Sequence, residues 1–174
     1  MPETLPVEKR TMLSFKTTFA SWGEIFRDRR FVPLAITGGL LFGQVCVFIA
    51  GAPFALQEGF HLTPTEYTYA FAAVTIVMFS ANAINRSLLK RFASVNLLRY
   101  GLSQAIFAAL FMTIMNVFNI HTLATSIIGF ALSISAMGFC MANMLGLAMR
   151  DHAARAGTAA GLIGFTNSLG GAIA

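Results

Sequence analysis

From Phe31 to Leu56 the chain carries no formal charge, and Thr37 and Gln44 are its only polar side chains before Gln57. A bilayer core needs about 20 apolar residues per helical span, so the pattern predicts a membrane helix over about 31–57, bent near its far end by Pro53. The segment "EGFHLTPTEY" then breaks the apolar run. Thr63, Pro64 and Glu66 combine an N-cap, a first-position proline and a T-x-x-E capping box, which predicts a second span over about 64–87. A basic stretch follows, "NRSLLKRFASVNLLRYG". Between Gly101 and Met149 there is no Asp, Glu, Lys or Arg. That interval is too long for one span and sufficient for two, with the turn at Asn116 to His121: about 100–116 and 121–148. After "RDHAARAG" a fifth span opens, at about 157–174. The pattern as a whole predicts an all-α, polytopic membrane helix bundle, with residues 1–30 ahead of it and the five spans in 31–174.

Composition agrees. The chain is 56% hydrophobic and 11% charged, against roughly 25% charged in ordinary globular domains. The basic residues sort the loops. All 12 Lys and Arg fall in the segment before the first span, in 86–99, and at Arg150 and Arg155. The loops at 58–66 and 116–121 have none. By the positive-inside rule the N-terminal segment is cytoplasmic. The same placement makes the net charge of +5 a membrane-flanking feature and argues against nucleic acid as a partner.

The opening, "MPETLP", has two prolines and no apolar run behind it, so it reads as neither a helix start nor a secretory signal. Phe15, Phe19, Trp22 and Phe26 recur at helical spacing among Lys16, Glu24 and Arg27. Two readings stay open here: an amphipathic helix on the membrane surface, or a helix that joins the first span. Ser21 and Glu24 offer a cap that would start it at Trp22. At the other end, "LGGAIA" closes the fifth span without a polar cap or basic flank. A carboxylate there would sit in hydrocarbon, so the chain reads as truncated.

Several segments in order resemble one family. They are "PETLP-x-EKR", "DRRF" before the first span, "AGAPFALQEGFHLTPTEY" across its end, "NRSLLKRF" after the second and "RAGTAAGLIG" opening the last. Together they resemble the bicyclomycin-resistance (Bcr/CflA-type) branch of the major facilitator superfamily, drug:proton antiporters of bacterial inner membranes. The resemblance implies that the chain corresponds to the central loop and spans seven to eleven of a twelve-span carrier, the C-terminal half of a facilitator fold. It implies a multi-pass protein of the inner membrane. It also implies exchange of protons for small amphipathic drugs or metabolites by alternating access, together with a missing N-terminal half. Where the family carries a glycine after the basic cluster between spans eight and nine, this chain has Ala93 and Ser94. Two alternatives stand beside the drug carrier: a facilitator exporting one specific metabolite, and a small non-transporting membrane subunit.

Facilitators bind substrate between two six-span halves near the midplane. Polar side chains within spans are expensive in lipid, which singles out Gln44, Asn82, Asn143 and Asn167. Each has two readings, a cavity-lining group or an interhelical hydrogen bond. Phe48, Phe54, Met137, Met141 and Phe165 offer an adaptable apolar wall, or lipid-facing filler. Arg86, Lys90, Arg91 and Arg99 occupy the place of the facilitator cytoplasmic loop motif, either as a charge latch or as topology anchors. The steps Gly39-x-x-x-Gly43 and Gly157-x-x-x-Gly161 permit close helix approach.

Nothing in the pattern points to an enzyme, a metal or a cofactor. His61, His121 and His152 fall in three separate loops. Cys46 and Cys140 lack a CxxC partner or a nearby histidine and read as packing residues.

Overall fold

The computed structural model describes residues 22–150, 152 and 156–174. The stretch expected to form the amphipathic helix lies outside them except for its last turn. Residues 22–26 are helical, with Ile25 buried and the Trp22 ring 5.6 Å from that of Phe165.

Five long helices follow. The first, α1, spans Phe31–Pro53 and widens into a π-turn over Phe54–Glu58. Then come α2 (Pro64–Leu88), α3 (Ser94–Val117), α4 (Leu123–Arg150) and α5 (Ala156–Ile173). By length and composition α1 with its π-turn, α2, α3 and α4 are each able to cross a membrane. The 18-residue α5 is shorter and includes Thr166, Asn167 and Ser168. The molecule is an all-α, multi-pass membrane helix bundle.

Local chemistry explains the helix ends. At α2 the capping box is complete. The Glu66 backbone N–H donates to the Thr63 hydroxyl at 3.3 Å, and the Thr63 backbone N–H donates to the Glu66 carboxylate at 2.9 Å. Two of the orphan donors of a helix start are thereby satisfied. At α4 a threonine pair does the same work. The Thr125 N–H donates to the Thr122 hydroxyl, and the Thr122 N–H donates to that of Thr125 at 2.7 Å. Between these helices Asn119 sits at φ 53°, a left-handed conformation that Asn tolerates better than most residues. It lets the chain leave α3 and turn back. The helix α3 begins at Ser94, ahead of the apolar run expected from about 100. Its first turns carry Asn96 and Arg99, so here the helix extends beyond the residues suited to hydrocarbon.

In the bundle α4 lies along α3 and α2 and also meets α1 and α5, while α5 lies along α1. Two cores result. At the basic end Phe31, Leu98, Cys140, Met144 and Leu162 are buried together. Toward the other end Phe48, Ala52, Val74 and Ile134 are, with Phe71 and Phe130 against them. Many large apolar side chains remain uncovered, among them Leu40, Phe79, Ile106 and Phe107. Such a surface needs lipid or protein around it.

The contact of α1 with α5 is backbone on backbone. A Cβ added at Gly170 would overlap the Gly39 carbonyl, and one at Gly43 would lie 2.7 Å from the Gly170 oxygen. The step from Gly39 to Gly43 is therefore an occupied seam. Gly157 and Gly161 have nothing within 4 Å of such a Cβ, so among the described residues that step faces open space. Gly170→Ala should lower the unfolding midpoint of the purified chain in detergent, at a cost of roughly 1–3 kcal/mol from overpacking. Gly161→Ala should stay within about 0.5 kcal/mol of the parent. Equal effects would mean that the seam is not the constraint.

Candidate functional site

The polar side chains inside the helices converge on α4. From α1, the Gln44 Nε2 donates to the Ser133 hydroxyl. From α3, the Gln104 Nε2 donates to the Ser135 hydroxyl and to the Leu132 carbonyl at 3.0 Å. The link to α2 runs the other way. The Asn143 Nδ2 of α4 donates to the Asn85 Oδ1 at 2.7 Å and to the Phe139 carbonyl of its own helix at 2.6 Å. The helices α1, α2 and α3 thus each meet α4 through at least one side-chain hydrogen bond.

The amide pair is the most enclosed of these. Asn85 is 0% exposed and Asn143 2%. The Phe139 carbonyl can only accept, which orients the Asn143 amide and through it the Asn85 amide. Asn85 Nδ2 and Asn143 Oδ1 are left without partners, so only two of the four polar atoms of the two amides are engaged.

The other cavity candidates are scattered. Phe48 is buried, stacked on Phe71 with centroids 5.4 Å apart and edge-on to Phe130 at 5.3 Å. It ties α1, α2 and α4 together, which makes it a packing residue within this chain. Asn82 is exposed on α2 and Phe165 is exposed on α5. Met137 is half-buried on α4. Asn167 stands at the seam of α1 with α5, its Oδ1 buried without a partner and 2.7 Å from where a Cβ on Gly38 would lie. Gln44 also lines a hollow of about 240 Å³ between α1 and α3.

At the basic end Arg86, Lys90, Arg91 and Arg99 are all exposed. A histidine–carboxylate contact at this end involves other residues. The His152 Nε2 lies 3.1 Å from the Asp28 carboxylate, off the hydrogen-bonding direction, with its ring edge-on to Phe31 at 5.5 Å. It joins the entry to α1 with the connection between α4 and α5.

Sequence reasoning missed Asn85, Gln104, Ser133 and Ser135. Asn85 falls inside the expected second span, but it adjoins Arg86 at the start of the basic stretch, and nothing at its position marks it as the partner of Asn143. The two serines are small hydroxyls in an apolar run, and nothing at their own positions marks which helix they meet.

Residues 2–174 match the Major Facilitator Superfamily. The chain belongs to that superfamily. Its members are membrane transporters for small molecules, and the helix bundle, with four helices packed around α4, is consistent with that membership. The chain is also similar to a protein of Bacillus subtilis (strain 168) described as "Uncharacterized MFS-type transporter YdgK". The two are 29% identical over 177 residues, which cover 99% of this chain and 43% of the relative. The chain therefore spans less than half the length of that facilitator.

A double-mutant cycle tests the amide pair. Asn85→Ala and Asn143→Ala should each destabilise the folded chain, and the double variant should lose less than their sum. The coupling should be about 0.6 kcal/mol and at most about 1.7. It is read from unfolding of the purified chain in mixed micelles, and strict additivity would dissolve the pair.

Proposed function

We propose that this chain forms the C-terminal half of a proton-coupled multidrug efflux transporter of the bacterial inner membrane, working by alternating access. In this reading it corresponds to the central loop and spans seven to eleven of a Bcr/CflA-type carrier. Its partners are the N-terminal half, protons and a small amphipathic drug or metabolite. The observation that carries the reading is Asn82. It is exposed on α2, about 9 Å inside the basic end at ~1.5 Å per residue. An amide facing hydrocarbon there is costly, so that face of α2 calls for protein or a water-filled cavity against it. The interface of a two-half carrier supplies both.

The cavity side chains in this reading are Asn82, Met137 and Phe165, which this half leaves uncovered or half-covered. Gln44 and Asn167 stand at the margins. Proton coupling needs a group that titrates within the membrane. The runs Phe31–Gln57, Tyr67–Asn85 and Tyr100–Met149 contain no Asp, Glu, Lys or Arg, and their histidine, His121, lies in the turn between α3 and α4, so in this reading the coupling group belongs to other parts of the transporter.

Two experiments test the proposal. In a transporter completed with the matching N-terminal half, Asn82→Ala and Phe165→Ala should change which drugs are exported while the protein level stays at that of the parent. Asn143→Ala should lower the protein level for all drugs alike, because it removes a packing bond. Export unaffected by either Asn82→Ala or Phe165→Ala would count against the cavity. The same completed protein should exchange drugs for protons under an imposed pH gradient. A protein that inserts but moves nothing would favour the non-transporting subunit.

The orientation is tested separately, in a chain lacking Cys46 and Cys140. Ile120→Cys, in the turn before α4, should react with an impermeant thiol reagent applied outside cells. Phe92→Cys, before α3, should react only after permeabilisation. The reverse pattern would place the basic end outside.

A further inference from the structure

A groove of about 750 Å³ runs between α2 and α3 over α4, lined by Ile84, Leu88, Tyr100, Gln104, Phe107 and Phe139 among others. We propose that it seats one acyl chain of an anionic phospholipid, with the lipid phosphate held by Arg86, Lys90, Arg91 and Arg99.

Three observations select this occupant. The first is length. On α2 the lining extends from Val77 to Leu88, about 16 Å at ~1.5 Å per residue. One leaflet contributes about half of a ~30 Å hydrocarbon core, so the groove is as deep as a single leaflet and stops where an acyl chain ends.

The second is chemistry. The lining includes hydroxyls and an amide, but most are already engaged. Ser80 donates to the Ile76 carbonyl and Ser103 to the Tyr100 carbonyl, both at 2.8 Å. Ser135 donates to the Leu132 carbonyl at 3.0 Å while accepting from Gln104. With those donors turned back onto backbone and onto each other, the surface offered to a ligand is largely hydrocarbon. Tyr100 is the exception in position. It packs edge-on against Phe139 at 5.1 Å, at the basic end, where an aromatic ring with a polar tip suits the headgroup level.

The third is charge. Leu88 and Tyr100 close the groove at the end where Arg86, Lys90, Arg91 and Arg99 cluster in sequence. All four are exposed, and no Asp or Glu occurs between Tyr67 and Arg150. Those three helices thus bring no carboxylate of their own to the cluster past Glu66. A phosphate suits such a cluster as its counter-charge, and basic groups between helix ends are suited to lipid headgroups. The inference does not depend on the drug-efflux reading.

The test is native mass spectrometry of the chain released from vesicles. These contain phosphatidylglycerol and phosphatidylethanolamine with matched acyl chains. Phosphatidylglycerol should remain as a one-to-one adduct, in clear preference to phosphatidylethanolamine. Replacing all four basic residues with Gln should reduce that adduct at least about tenfold. The variant Arg86→Lys, Arg91→Lys, Arg99→Lys should keep it, which separates lost charge from lost folding. Ser103→Phe fills the groove from an exposed position and should reduce the adduct with every charge in place. Equal retention of the two lipids, or an adduct untouched by the Gln set, would overturn the proposal. So would an adduct untouched by Ser103→Phe, which would reveal headgroup contact without a seated chain.

Discussion

In lipid, helices gain little by hiding apolar side chains from one another, because the solvent is as apolar as they are. The bundle therefore depends on the few places where a polar bond or an atomic-level fit favours one arrangement. One of those places is the glycine seam of α1 with α5, and the others lie on α4. Ser133, Ser135 and Asn143 each bond one neighbouring helix, so α1, α2 and α3 are positioned by reference to a common axis. The stacked trio of Phe48, Phe71 and Phe130 repeats that logic with aromatic geometry, at roughly 0.5–1.5 kcal/mol per pair. Loss of α4 would leave α2 and α3 with little reason to stand where they do.

This dependence also explains what a one-dimensional reading reaches. Features whose physics is local were legible. The capping box at Thr63 and Glu66 was visible because both partners lie within one turn. The seam at Gly39 and Gly43 was visible as small residues one turn apart. The all-α membrane class followed from long uncharged runs. Features whose physics lies between helices were not. Gln44 and Asn143 stood out as costly amides, yet their partners Ser133 and Asn85 are separated from them by 89 and 58 positions. Phe48 looked like a wall because a phenylalanine carries no mark of what will cover it. The start of α3 at Ser94 was hidden for another reason. Hydropathy reports where a chain can meet lipid, whereas a helix continues for as long as its backbone bonds do.

The exposed surface divides by the same accounting. Leu40, Ile106 and Phe107 are apolar and uncovered, which suits contact with acyl chains. Asn82 is uncovered and polar, which does not. The first set describes what a solvent of hydrocarbon accepts, and the second a polar group that it does not suit.

The glycine seam has a mechanical consequence. Side chains between helices act as compliant spacers, since a rotamer change absorbs a small displacement. Where α1 crosses α5 at Gly39 and Gly170 there is no such spacer, for the two backbones touch directly. A tilt imposed on α1 therefore passes to α5 undamped, and the two helices behave as a single strut.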